Sequence, residues 1–179
     1  MKLIFTKYLD VKDPVKTSSL ESGFDLFIPE FTEAFKKAFY KFNPQLEDGC
    51  FHNHEFHDNK LWITNTNKFA IPSGITIDYP SGIYGTIENR SSNWKRDILV
   101  QRDICDNSYT GDGHVTQCIK TNPNMVIVLK PGERISQLVL HNLIDIDEPT
   151  FINYEEFQTL ETVVNKRQHR DGGFGSSGK

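Results

Sequence analysis

Proline and glycine breaks at Pro72-Ser73-Gly74, Pro80-Ser81-Gly82, Asn122-Pro123-Asn124 and Pro131-Gly132-Glu133 constrain this chain more than any other feature. Between them lie runs rich in Ile, Val, Leu, Phe and Thr that are too short for stable helices. Turns spaced roughly 8–12 residues apart favour antiparallel strands in a sandwich or barrel. The pattern predicts strands over residues 3–8, 25–28, 61–64, 68–71, 74–78, 82–88, 98–101, 115–119, 125–129 and 134–143. No internal repeat is visible, and the expected class is all-β.

One segment departs from this pattern. Over residues 30–43 the apolar positions Phe31, Ala34, Phe35, Ala38, Phe39 and Phe42 recur at helical spacing, with Lys36, Lys37 and Lys41 off the stripe. Pro44 and Gly49 end it. The expectation is an amphipathic helix lying on the sheet or on a partner subunit. A second short helix is expected over residues 154–162. The stretch Cys50, His52, His54, His57, Asp58 has zinc-ligand chemistry but lacks a distant second pair. A polar surface loop is the expectation there.

At 179 residues the chain suits one domain, and 37% hydrophobic residues suffice for a core. A net charge of -4 gives no field for a nucleic-acid backbone. No apolar run is long enough to span a membrane. Residues 1–6 read as a strand and lack a secretory pattern. Three scattered cysteines point to a reducing cytoplasm, without a disulfide framework.

Five segments carry chemistry. Glu21-Ser22-Gly23-Phe24-Asp25-Leu26 is a glycine turn leading into a strand with a carboxylate. Glu88-Asn89-Arg90-Ser91-Ser92 gathers amides, hydroxyls and a guanidinium, which suits an oxyanion. Ile104-Cys105-Asp106-Asn107-Ser108-Tyr109-Thr110-Gly111 sets an acid three residues before an aromatic ring. Lys130-Pro131-Gly132-Glu133-Arg134-Ile135-Ser136-Gln137-Leu138 is a turn feeding an apolar strand. In residues 170–179, four glycines and two serines surround Phe174, with Arg170 in front. Such a segment cannot hold a core of its own. Its amides and hydroxyls can wrap phosphate, Phe174 can cover a flat ring, and Arg170 can pair with charge.

In this order the five segments resemble the motifs of the trimeric dUTP pyrophosphatase (dUTPase) family, across residues 21–178. The resemblance implies a distorted jelly-roll β-barrel over residues 1–165, with a small helical insertion at 30–62 of the kind found in phage members. A glycine-rich arm, 166–179, would close the active site. It implies hydrolysis of dUTP to dUMP and pyrophosphate with Mg²⁺, in a homotrimer whose sites draw on all three chains. Asp106 would be the general base that activates water for attack on the α-phosphorus. Arg90, Ser91, Ser92 and Gln137 would hold phosphates. Tyr109 would pack under the deoxyribose, and the hairpin running from Thr110 would read uracil. Phe174 would stack on the base, with Gly175 also among the substrate-binding residues, while Ser176 and Arg170 would meet the γ-phosphate. Asp25 would support the site or hold a metal-bound water. If the chain is phage-encoded, the setting is the host cytoplasm.

Two rivals remain. A dCTP deaminase shares the fold, but the hairpin offers Asp112 and no glutamate. A phage regulatory module would bind a protein partner through the insertion. The expectation is that the Phe-rich helix covers apolar sheet surface instead.

Overall fold

The computed structural model describes residues 2–16, 18, 22–47, 53–66, 68–106, 115–144 and 153–159. The chain divides into two compact units, Met1–Ile144 and Asp145–Lys179. The described part of the second is one short helix, Tyr154–Thr159. No helix among the described residues is long and apolar enough to cross a membrane.

The first unit is built from antiparallel strands: β1 (Ile4–Lys7), β2 (Gly23–Phe27), β3 (His54–His57), β4 (Lys60–Ile63), β5 (Lys68–Pro72), β6 (Ile75–Asp78), β7 (Ile83–Asn89), β8 (Ile98–Val100), β9 (Asp103–Cys105), β10 (Thr116–Thr121), β11 (Ile127–Leu129) and β12 (Arg134–Asn142). They form four small sheets, ordered β1-β6, β5-β10-β8, β11-β4-β3 and β2-β12-β7-β9. This is the expected all-β, jelly-roll-like class. Alternation places Ile71, Ile75, Ile77, Ile87, Ile119, Leu129 and Leu138 inside, each 1% exposed or less.

The expected helix forms as α1, Glu33–Phe42. It begins three residues later than its hydrophobic pattern because the Thr32 hydroxyl accepts from the Phe35 amide at 3.2 Å and caps the first turn. Phe35 and Phe39 are fully buried. They pack edge-on against Phe56, with ring centroids 6.1 and 5.6 Å away. The apolar stripe is therefore consumed as core, each ring contributing about 1.5–3 kcal/mol through burial.

The sequence reading took residues 50–58 as a polar loop, and the structure corrects this where it describes them. Residues 54–57 form β3, a strand with His54 and Phe56 turned inward and Glu55 and His57 outward. Asp58 and Asn59, at φ 51° and 53°, make a two-residue hairpin into β4. Without a glycine, that turn carried no sequence signal. His54 Nε2 meets the Tyr40 hydroxyl at 2.9 Å, and burial lowers its pKa. Cys50 and His52 lie outside the described residues. Among those described, no three metal-ligating side chains cluster. The short strand β9 was also not anticipated.

One side chain docks the helix on the barrel. Asn43, 1% exposed, donates through Nδ2 to the carbonyls of Phe39 and Ala70, and its Oδ1 accepts from the Ala70 amide, each at 2.8 Å. It thus completes the free edge of β5 as a neighbouring strand would. Asn43→Ala removes three buried hydrogen bonds and leaves a strand amide and carbonyl unmet. The expected loss is about 3 kcal/mol in urea unfolding. A loss below about 1 kcal/mol would show that the helix is held by its rings alone.

Candidate functional site

The sheet β2-β12-β7 places two of the expected residues, Asp25 and Gln137, side by side with Glu88. Gln137 is the register partner of Asp25 on one flank and of Glu88 on the other. Partners directly opposite share a face, so Asp25, Gln137 and Glu88 form one polar row across three strands.

Asp25 is 7% exposed and lies between two guanidiniums. Its Oδ2 accepts from Arg134 Nη1 at 2.9 Å. Its Oδ1 lies 2.7 Å from Arg90 Nη1. The Arg90 N–H bonds do not point along that line, and the buried Nη1 makes no hydrogen bond, so this second contact is charge attraction. A carboxylate this enclosed is tolerable because both oxygens face positive charge. The clamp ties the start of β12 to the end of β7, where Arg90 leaves the strand.

Immediately after Arg90, residues 91–96 form a single 3-10 helix, Ser91–Arg96. Asn93 sits beneath it, 2% exposed, and donates to Asn89 Oδ1 at 2.9 Å and to the Ile135 carbonyl at 2.6 Å. Asn89 Oδ1 also accepts from the Val100 amide at 3.0 Å. Asp97, at φ 50°, closes the turn. Ser91 and Ser92 stand exposed on this pinned turn and directly follow Arg90, whose guanidinium faces Asp25. Two hydroxyls and a positive charge on a fixed backbone match an anionic, oxygen-rich ligand.

Asp106 is elsewhere. It follows β9, whose last residue, Cys105, pairs with Gly85 near the start of β7. Ser91 follows the opposite end of that strand. Five residues of extended chain separate Gly85 from Arg90, about 17 Å at the usual rise. Within one chain, then, the exposed Asp106 carboxylate and the Ser91 turn do not meet.

Beside Asp106, Gly85 leaves room that a β-carbon would fill against the Tyr79 hydroxyl. The Cys105 thiol lies in this buried pocket, and burial pushes its pKa up to about 12, with the Asp103 and Asp106 charges adding to the effect. Burial likewise raises the pKa of Cys118. Both described cysteines are therefore neutral thiols, not nucleophiles.

The structure thus gathers Asp25, Arg90, Ser91, Ser92 and Gln137, and holds Asp106 apart. Tyr109, Arg170, Phe174, Gly175 and Ser176 lie outside the described residues. The sequence pattern shows Arg134 only as part of a turn feeding a strand and gives no sign of its pairing with Asp25. Sequence reasoning also missed Asn93 and the Glu88–Arg102 ion pair at 2.8 Å. Asn93 alone had a visible signal, a polar residue in a turn directly after the hydroxyl pair.

The family model described as dUTPase matches residues 58–178. The chain belongs to the dUTPase family. The deoxyuridine 5'-triphosphate nucleotidohydrolase of Wolbachia pipientis subsp. Culex pipiens (strain wPip) is 30% identical over 125 residues, covering 68% of this chain and 75% of the relative. Among solved structures, a variant of the Staphylococcus bacteriophage 80alpha dUTPase with dUpNHpp superimposes with a TM-score of 0.64 at 18% identity, covering 99% of each chain. A variant of the dUTPase from phage phi11 of S. aureus, described with a structural Mg(II) ion, gives 0.62 at 12% identity over 87% of this chain and 99% of that one. These structures share the fold. The protein is accordingly an enzyme of the dUTPase family.

This dUTPase-family chain shows no metal cage among its described residues, and both Asp25 oxygens are committed to arginines. With both oxygens facing guanidiniums, Asp25 does not suit direct coordination of a cation. Asp25→Asn would leave two guanidiniums facing a neutral amide. Because Arg134 is 44% exposed, water offsets part of the loss, and about 2 kcal/mol is expected in chemical denaturation. The exposed Asp13, paired with Lys7 at 3.0 Å, is the control: Asp13→Asn should cost under about 0.5 kcal/mol. Equal effects would contradict the clamp.

Proposed function

We propose that this enzyme hydrolyses dUTP to dUMP and pyrophosphate at sites built jointly by neighbouring copies of the chain. The observation that carries this reading is the separation within one chain: the oxyanion turn and Asp106 occupy opposite ends of β7. A second copy must bring its Asp106 to the Ser91 turn. The number three, for a homotrimer, comes from the family resemblance.

At such a site Arg90 supplies charge to the phosphates, and the Ser91 and Ser92 hydroxyls donate to their oxygens. Gln137 reaches them from the adjoining row. Asp106 of the next copy takes a proton from water as the water oxygen bonds to the α-phosphorus. The bond from that phosphorus to the bridging oxygen breaks, and pyrophosphate leaves with the electron pair. General base catalysis of this kind supplies about 10²–10⁴-fold. Neutral thiols at the buried Cys105 and the half-buried Cys118 agree with attack by water.

From the resemblance, Tyr109 supports the deoxyribose, Phe174 stacks on uracil with Gly175 also binding substrate, and Arg170 and Ser176 meet the γ-phosphate. Arg170, Phe174, Gly175 and Ser176 would act in an arm, residues 166–179, and Tyr109 in a barrel of residues 1–165 with residues 30–62 inserted. Mg²⁺ would enter as the counter-ion of the triphosphate and would supply positive charge to the leaving pyrophosphate, with Asp25 facing arginines rather than the ion. A cytoplasmic setting fits the free thiols.

Purified protein with Mg²⁺ should convert dUTP, and not dCTP, dTTP or UTP, to its monophosphate. Hydrolysis in heavy-oxygen water should label dUMP; label in pyrophosphate would place attack at the β-phosphorus. Asp106→Asn should lower turnover about 10³-fold with dUTP affinity kept within a few-fold. Unchanged turnover would remove Asp106 as the base.

A further inference from the structure

Between the C-terminal end of α1 and the outer face of sheet β5-β10-β8 lies an open cleft of about 430 Å³. Phe42 and Gln45 form one wall, and Lys68, Lys120, Cys118 and Gln101 line the sheet side. Two features single it out. Lys68 and Lys120 are register partners on adjacent antiparallel strands, so two like charges stand directly opposite each other. That placement is destabilising by itself. Neither lysine forms an ion pair with any described residue, and no Asp or Glu is among the described residues that line the cleft. In a chain of net charge -4, the described lining is locally positive.

We propose that this cleft binds a small phosphorylated anion, separately from the dUTP site. A multivalent phosphate can meet both ammonium groups at once and so offset their repulsion, with the amides of Gln45 and Gln101 as neutral donors. The recess is large enough for a diphosphate or a mononucleotide, and the Phe42 ring offers a flat wall. Phe42 and Gln45 precede residue 58, where the match to the dUTPase family model begins. One wall of the site therefore comes from the helical element that lies outside the family match, while the two lysines lie within it. The site does not depend on the dUTPase reaction.

The test compares wild type with Lys68→Gln/Lys120→Gln, using pyrophosphate and dUMP as separate probes. Both lysines are exposed on strand surfaces, so the variant should fold and, without ligand, melt at or above wild type. At ten times its dissociation constant, whichever probe fits should raise the wild-type melting temperature by about 3 °C or more beyond its effect on the variant. Response to pyrophosphate alone identifies the phosphoanhydride as the ligand chemistry; a larger response to dUMP identifies the nucleotide. Turnover of dUTP should be the same in both proteins within twofold, which keeps this result separate from the hydrolase reading. Equal shifts in wild type and variant with both probes would overturn the proposal, as would a variant melting below wild type without ligand.

Discussion

The buried carboxylate of Asp25 is the interaction on which the geometry of the site depends. One guanidinium comes from Arg134 at the start of β12 and the other from Arg90 at the end of β7. That negative charge between them offsets the repulsion of the two guanidiniums against the sheet. With it, the end of β7 is fixed, and the serine turn that follows begins from a defined point. Asn93 then holds the turn from below through Asn89 and the Ile135 carbonyl. The hydroxyls of Ser91 and Ser92 are presented to solvent on a pinned backbone. Pre-organised donors of this kind bind charge without having to reorganise first.

The same β7 strand that supports the turn also keeps it from Asp106. Cys105 pairs near the start of the strand, and Ser91 follows its end. The 17 Å or so between them is set by strand rise, which side-chain motion cannot close. A hydrolase using both groups must bring them from different copies. In the proposed closed ring of identical subunits, each copy would give its turn to one site and its carboxylate to another.

Much of this was legible in the residues. Turn chemistry at Pro72, Pro80 and Pro131 located the strands, and the stripe through Phe35 and Phe39 located α1. The oxyanion turn was legible because hydroxyls and arginine adjoin in sequence. Arg134 was harder, since its partner lies 109 positions away and no local pattern links strand neighbours. The β3–β4 hairpin escaped because its turn uses Asp58 and Asn59 in the left-handed region, where glycine is the usual sign. Asn43 escaped for a related reason: its bonds to Ala70 reach across 27 positions, and a lone Asn before Pro44 reads only as a helix stop.

The shared site is tested most directly by mixing two damaged proteins. Asp106→Asn and Ser91→Ala chains should each turn over dUTP poorly alone. Refolded together, they should recover activity, because some interfaces join an intact Asp106 to an intact Ser91; random assembly in a closed ring predicts about a quarter of wild-type turnover. If the mixture is no more active than its two components, the carboxylate and the serine turn act within one chain or not together at all, and the account fails.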